Sequence, residues 1–309
     1  MKGTPVTTKR SRIVSVYLFG GLGNQLFQYF TGLSIAKATG AKLILRPFGK
    51  TSAIDRNDTL GIEAFEIEGT LICSRISPYW QEKMLRKFIN AVSFLKLKKF
   101  FESQGIILSD SQSLLALINQ KKKHLRFIGY FQNTKYLNFL SEKDGKVKLT
   151  IKNPTDWFKN LSILCLSAKP IMLHLRRGDY LKHSKTIGVL DFSYYKSALE
   201  IIKPANDSEI WIFSDSISTA KDFAKFAQLP ESRTKIIEPP SESRDAESMI
   251  IMSQGSALII SNSTFSWWSA YLCEQKVKIV APSVWFRNLP DSVSFIPKSW
   301  LTCLSSFES

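Results

Sequence analysis

Pro170-Ile-Met-Leu-His-Leu-Arg-Arg-Gly-Asp-Tyr180 opens as an apolar run and ends in two arginines, a glycine and an aspartate. Ile171, Met172, Leu173 and Leu175 have the length and composition of a buried strand, whereas Arg176, Arg177 and Asp179 belong to the residue types least often carried into a core. Such a strand delivers guanidinium groups to its carboxyl end, the place where ligands sit in open α/β sheets. Each guanidinium fork can donate two parallel, charge-assisted hydrogen bonds to a phosphate. A surface Arg–Asp ion pair at a turn is the plainer reading of the same residues, and such pairs contribute little.

The sequence on the carboxyl side of this run separates the two readings. Strands expected at Glu209 to Phe213, Lys235 to Ile237, Ala257 to Ile260 and Lys276 to Val280 alternate with helices at Ser193 to Ile202, Ser218 to Ala227 and Asp245 to Gln254, and with one ending near Glu274. That alternation predicts an α/β fold with a parallel sheet covered on both faces. Three of the strand ends carry polar clusters: Arg176-Arg-Gly-Asp179, Ser214-Asp215, and Ser261 to Ser266. Ser261, Ser263, Thr264 and Ser266 place hydroxyls at a strand-to-helix junction, where unpaired N–H groups and the helix dipole favour an anion. Helix capping by Ser263 or Thr264 uses the same geometry. Two arginines and a helix N-terminus at one sheet edge make a diphosphate the simplest ligand. The Asp215 carboxylate can accept from both N1–H and the 2-amino group of a guanine.

The first half repeats the strand–turn–helix theme. Ile13 to Phe19 reads as a strand, Gly20-Gly-Leu-Gly-Asn-Gln-Leu-Phe-Gln28 as a glycine-rich turn entering a helix, and Gly40 as its stop before a strand at Ala41 to Leu45. The glycines permit close backbone approach. Leu26 stands where a dinucleotide fingerprint has its third glycine, and no Gly-Lys-Ser/Thr follows. His124 to Phe131 is strand-like, and helices are expected at Ser111 to Gln120 and within Gln132 to Leu140. Tyr79 to Phe101 carries an apolar stripe (Met84, Leu85, Phe88, Ile89, Val92, Leu95) among lysines and arginines. Ser141 to Asn160, rich in Lys, Asp and Asn around Pro154, is the linker candidate, which divides the chain into residues 1–160 and 161–309.

A chain of 309 residues has room for two cores, and its net charge of +16 calls for an anionic partner. The basic excess between residues 83 and 159 is a solvated face or, over residues 83–123, a peripheral contact with anionic lipid. No zinc-finger spacing, helix-turn-helix signal or basic stripe with interleaved aromatics points to nucleic acid. No apolar run reaches the roughly 20 residues of a membrane span. The polar start and short first apolar run do not form a signal peptide, so the expected location is cytoplasmic, or peripheral on the inner membrane face. Cys73, Cys165, Cys273 and Cys303 lack metal-ligand spacing, as do His124, His174 and His183, so no metal is expected.

The motifs HLRRGDY (His174 to Tyr180), GGLGNQLFQYF (Gly20 to Phe30) and SNSTFSWWSAYL (Ser261 to Leu272) resemble those of glycosyltransferase family 11, the bacterial α-1,2-fucosyltransferases. GYFQNTKYL (Gly129 to Leu137), IFSDS (Ile212 to Ser216) and APSVWF (Ala281 to Phe286) add to the resemblance. It implies a GT-B-like fold of two Rossmann-type domains with the donor in the cleft, the first acceptor-sided and the second binding the GDP-sugar. It also implies inverting, metal-independent transfer of L-fucose from GDP-β-L-fucose to the 2-hydroxyl of a galactose, for a surface polysaccharide such as O-antigen, on an acceptor that can be lipid-linked. Carried onto this chain, Arg176 would meet the β-phosphate, and His174, Arg177, Asp215, Ser263, Thr264 and Phe265 would line the nucleotide. Gly21, Gly23 and Asn24 would approach the fucose-phosphate end. Asp179 is the candidate base, with Asp55, Asp58 and Glu63 as alternatives. Ser216 stands where the family commonly has a second aspartate. Related families share the HxRxGD element with α-1,6 linkage, and the SNSTFSWW match favours α-1,2.

Overall fold

The computed structural model describes residues 12–47, 60–72, 100–108, 112–145, 147–178, 180–181, 184–274, 276–288 and 295–308. The chain divides into two units, Met1–Ile54 with Ile67–Val147, and Asp55–Glu66 with Lys148–Ser309.

The first unit holds a five-stranded parallel sheet of order β3-β2-β1-β5-β4. Its strands are β1 Ile13–Leu18, β2 Lys42–Pro47, β3 Thr70–Leu71, β4 Ile106–Ile107 and β5 His124–Phe127. Helix α1, Leu22–Thr39, is buried on nearly every side, which takes it beyond the one-sided stripe of a surface helix. Gly40, at φ 63°, ends it in the left-handed conformation the sequence anticipates. Inside α1, a Cβ on Gly32 would stand 2.2 Å from Val16 Cγ2 and 3.0 Å from Leu43 Cδ1, so the missing side chain sets how closely helix and sheet approach. Helix α2, Leu114–Ile118, is shorter than the expected Ser111 to Gln120, and α3 covers Lys135–Asp144.

The second unit holds a six-stranded parallel sheet of order β11-β10-β9-β6-β7-β8. These strands are β6 Ile171–Leu175, β7 Ile210–Ser214, β8 Thr234–Ile237, β9 Ala257–Ile259, β10 Lys278–Pro282 and β11 Leu301–Cys303. Helices α5 Phe192–Ile202, α6 Ile217–Phe226, α7 Asp245–Met252 and α8 Thr264–Leu272 follow β6, β7, β8 and β9. Numbered within the unit, this is the doubly wound order 3-2-1-4-5-6, whose direction reverses between β6 and β9. The first sheet reverses in the same sense between β1 and β5. All five residues of β6 are buried, and its bounds match the expected strand.

Helix α4, Asp156–Ala168, begins inside the stretch expected to be a linker. Thr155 caps it by accepting from Phe158 N, and only Cys165 is buried, while Ile163, Leu164 and Leu166 are exposed. With no buried stripe, the helix carried no periodic signal. Its start is tied to α7 by the buried Glu247 carboxylate, which accepts from Thr155 N (2.7 Å) and Thr155 Oγ1 (2.9 Å). Strands β3, β4 and β11, at two or three residues, are too short to show alternation. Cys165, Cys273 and Cys303 are buried free thiols, as expected. The basic helix expected at Tyr79 to Phe101 lies outside the described residues except for Phe100 and Phe101, and with it about half of the proposed lipid contact. Among those described, no helix is long and apolar enough to cross a membrane.

Gly32→Ala is expected to destabilise the chain by about 1–3 kcal/mol through overpacking, although alanine favours a helix interior by about 1 kcal/mol. Urea unfolding would check this, and a stabilised variant would contradict the close approach of α1 to β1.

Candidate functional site

In the second unit Leu175 of β6 pairs with Ser214 of β7, so Arg176 and Asp215 leave their strands side by side. Asp215 Oδ1 accepts from the backbone N of Arg177 at 3.0 Å, and Oδ2 lies 3.2 Å from Arg176 Nε. A Cβ on Gly178 would stand 2.5 Å from Asp215 Oδ2, so the turn leaves no room for a side chain there. Both oxygens of the carboxylate expected to read guanine thus hold the arginine loop. The Arg176 guanidinium lies over Tyr180, 5.6 Å from the ring centroid, and the Tyr180 hydroxyl donates to Asn262 O at 3.2 Å.

The two arginines part company. The Arg177 guanidinium makes a two-point pair with the Glu308 carboxylate, with Nη2 2.8 Å from Oε2 and Nη1 on Oε1. It also lies 6.0 Å from the ring centroid of Phe192, the first residue of α5. The expected two-arginine phosphate clamp therefore becomes one arginine on the Asp215 side and one engaged by a carboxylate. Asp179, Asp55 and Asp58 lie outside the described residues, and Glu63 sits in a one-turn helix, Gly61–Ala64, of the second unit.

His174 is buried, with Nδ1 3.1 Å from Ser261 Oγ, which is itself 3.1 Å from Ser266 Oγ. Ser266 Oγ faces two carbonyl oxygens, Ser263 O at 3.1 Å and Ser261 O at 3.2 Å, and must give its one proton to a carbonyl. Ser261 then donates to Ser266, and His174 donates Nδ1–H to Ser261, which leaves Nε2 as an acceptor. Burial, with the nearby Arg176 charge adding to it, pushes the imidazole down to about 3, so it is neutral near pH 7. Phe265 lies 5.5 Å from His174, ring centre to ring centre. Ser263 caps α8 by accepting from Phe265 N at 3.3 Å, with Thr264 as the first helical residue. Asn262, which the sequence did not single out, donates through Nδ2 toward Ile187 O, Gly188 O and Trp285 O, and so pins two loops beside the cluster.

In the first unit the glycine-rich turn follows β1 at the reversal of that sheet. Gly20 has φ +75°, Gln25 Nε2 donates to Gly20 O (2.9 Å), and Gln28 Oε1 accepts from Phe19 N (3.0 Å). Gly21 caps α1, and a Cβ there would meet nothing within 4 Å, so packing within the turn does not demand glycine at this position. Gly23 is buried in the first turn of α1. Asn24 Oδ1 accepts from Gln132 Nε2 at 2.9 Å, and Phe19 packs edge-on against Tyr130, which links the loops after β1 and β5. Each unit therefore gathers its polar motif at the carboxyl ends of the strands flanking its reversal, the usual ligand position in such sheets. Among the described residues, no group of three or more His, Cys, Asp or Glu side chains could hold a metal ion.

The sequence model of glycosyl transferase family 11 matches residues 95–295, which include the arginine loop, Asp215 and the Ser261 cluster. The chain belongs to this family. An alpha-1,2-colitosyltransferase of Escherichia coli is 30% identical over 94% of this chain and 98% of its own length. The Escherichia coli O-antigen biosynthesis glycosyltransferase WbnK is 27% identical over 88% and 94%. In structure, the NodZ alpha-1,6-fucosyltransferase of Bradyrhizobium soaked with GDP-fucose aligns with TM-score 0.51 at 13% identity, over 89% of this chain and 96% of that one. A FUT1 variant of Arabidopsis thaliana in complex with GDP aligns with TM-score 0.52 at 13% identity, over 96% and 76%. The family 11 chain thus has the expected GT-B-type fold of two parallel-sheet α/β units, and it is a glycosyltransferase.

For this family 11 chain, the buried histidine sets a pH dependence. The folded His174 holds its proton only near pH 3, against an ordinary value of 6.5. The unfolded chain takes up that proton first, so stability is highest above pH 6.5 and falls toward pH 3, by up to about 1.4 kcal/mol per pH unit from this group. His174→Gln removes the titration. The stability gap between wild type and variant in urea is therefore expected to narrow by about 2 kcal/mol from pH 7.5 to 5.0, and an unchanged gap would contradict a buried neutral imidazole.

Proposed function

We propose that the chain transfers L-fucose from GDP-β-L-fucose to the 2-hydroxyl of a terminal galactose in a surface glycan, with inversion and without a metal ion. The observation that carries this reading is the meeting of Arg176, the N-terminal end of α8 and neutral His174 at the ends of β6 and β9. In the transfer, the galactose O2 bonds to fucose C1 as the C1–O bond to the β-phosphate breaks. The hydroxyl proton passes to a carboxylate, and the new charge stays on the diphosphate. Arg176 takes that charge, assisted by the first turn of α8 around Ser263 and Thr264. Asp215 braces the loop, and His174 and Phe265 line the nucleotide side. Gly21, Gly23 and Asn24 serve the sugar-phosphate end. Asp179, adjacent in sequence to the arginine turn, is the proposed base.

The α-1,2 linkage and the surface-glycan acceptor draw support from the names of the two Escherichia coli relatives. The name of the first also favours a second reading, in which the transferred sugar is colitose. Contact of residues 83–123 with an anionic membrane suits a lipid-linked acceptor.

Incubating the protein with GDP-fucose or GDP-colitose, EDTA and a panel of β-galactosides, with linkage read by NMR, tests the proposal. α-1,2-Fucosyl product in EDTA is expected. Colitosyl product alone would select the second reading, and transfer only with added Mn²⁺ would end the metal-free mechanism. Arg176→Ala is expected to lower turnover roughly 10²–10³-fold, the usual loss for a donor aimed at developing charge.

A further inference from the structure

Arg177 is held by a segment on the far side of β11. After that strand the chain runs along the loop that leads into α5: Asp191 N donates to Ser306 O (2.9 Å), Phe307 bridges Leu190, and Glu308 N donates to Val189 O (2.8 Å). Arg287 Nη1 donates to Glu308 O at 2.6 Å, and Ser306 Oγ donates to the carboxylate of Asp191, the residue that caps α5. Gly188, at φ +84°, admits the Phe307 ring where a Cβ would stand 2.5 Å from its Cδ1. Glu308 thus has its backbone fixed on both sides before its carboxylate meets Arg177. Both side chains are partly buried, at 25% and 29% exposure, so the pair is shielded better than a surface one.

We propose that Glu308 is a positioning residue of the donor site: by holding the Arg177 guanidinium toward α5, it fixes the turn from which Arg176 reaches the diphosphate. Two carboxylates divide the arginine pair. Asp215 takes the backbone N of Arg177 and approaches Arg176 Nε, and Glu308 takes the Arg177 side chain. Without Glu308, the Arg177 guanidinium loses its two-point partner and competes with Arg176 for Asp215, the nearby carboxylate that braces the turn. The inference rests on the reading of this edge as a diphosphate site.

The test measures GDP affinity by calorimetry, together with donor KM and kcat, for wild type, Glu308→Gln, Glu308→Asp, Arg177→Gln and the Glu308→Gln/Arg177→Gln double variant. Glu308→Gln is expected to weaken GDP and raise donor KM about tenfold, the scale of one lost charge-assisted contact, with a fall in kcat beside it because Arg176 also takes the charge of the transition state. Loss of folded protein alone would lower kcat at constant KM. Glu308→Asp should recover part of the affinity, and the double variant should bind no more weakly than the worse single one, since both remove the same contact. Unchanged or tighter GDP binding by Glu308→Gln would overturn the proposal. So would additive losses dominated by Arg177→Gln, which would mean that Arg177 grips the nucleotide itself. If wild type binds neither GDP nor a GDP-sugar, the functional reading fails separately, and amide hydrogen exchange decides the positioning role. Glu308→Gln must then speed exchange at residues 176–178 while β6 keeps its protection, and unchanged exchange at the turn would overturn it.

Discussion

The edge of the second unit at the ends of β6 and β7 depends on one carboxylate, that of Asp215. It spans the gap between the ends of β6 and β7, accepts a hydrogen bond from the backbone N–H of Arg177 and sits 3.2 Å from Arg176 Nε. The residue types around it follow from that contact. A side chain at Gly178 would have to push the carboxylate aside, since Asp215 Oδ2 occupies the space. The register that pairs Leu175 with Ser214 delivers Arg176 beside the carboxylate. The Nε–Oδ2 contact is an ion pair, and with the Tyr180 ring beside it this limits where the guanidinium can go; a positioned charge stabilises a transition state better than a free one.

The second arginine is held by a different carboxylate from the first. Side chains alternate along a strand, and the two arginines that leave β6 pair with different carboxylates, Arg176 with Asp215 and Arg177 with Glu308. Both residues suit an anion, so the sequence alone suggests a joint clamp; in the structure Arg177 lies against Phe192 and Glu308 instead. Nothing in the sequence could have announced Glu308. It lies 131 residues from Arg177, follows a three-residue strand, and belongs to no motif.

The parts of the fold that were legible share a physical cause. Strand β6 matched its expected bounds because all five residues are buried, and a wholly buried parallel strand reads as an unbroken apolar run. Helix α4 was hidden for the opposite reason: it buries only Cys165 and shows its leucines to solvent, so no stripe marked it. At the site, the positions of His174, Ser261 and Ser263 were readable because strand ends in a doubly wound sheet are fixed by topology. Their roles were less so. The single cap at Ser263 and the one-way proton chain from His174 through Ser261 to Ser266 depend on distances no spacing rule supplies.

Burial of the first member of that chain decides where positive charge resides. A protonated His174 would put a second cation beside Arg176, yet burial and the neighbouring Arg176 make the neutral form the stable one. The imidazole contributes direction, with Nδ1–H given to Ser261 and Nε2 left as an acceptor, while Arg176 and the first turn of α8 contribute charge. The two demands conflict within a single group. A cation buried as deeply as His174 would carry a large desolvation cost, and an exposed one would be screened by water. Dividing them between a buried neutral ring and a braced, 30% exposed guanidinium avoids both penalties, and Asp215 keeps that guanidinium from drifting into solvent.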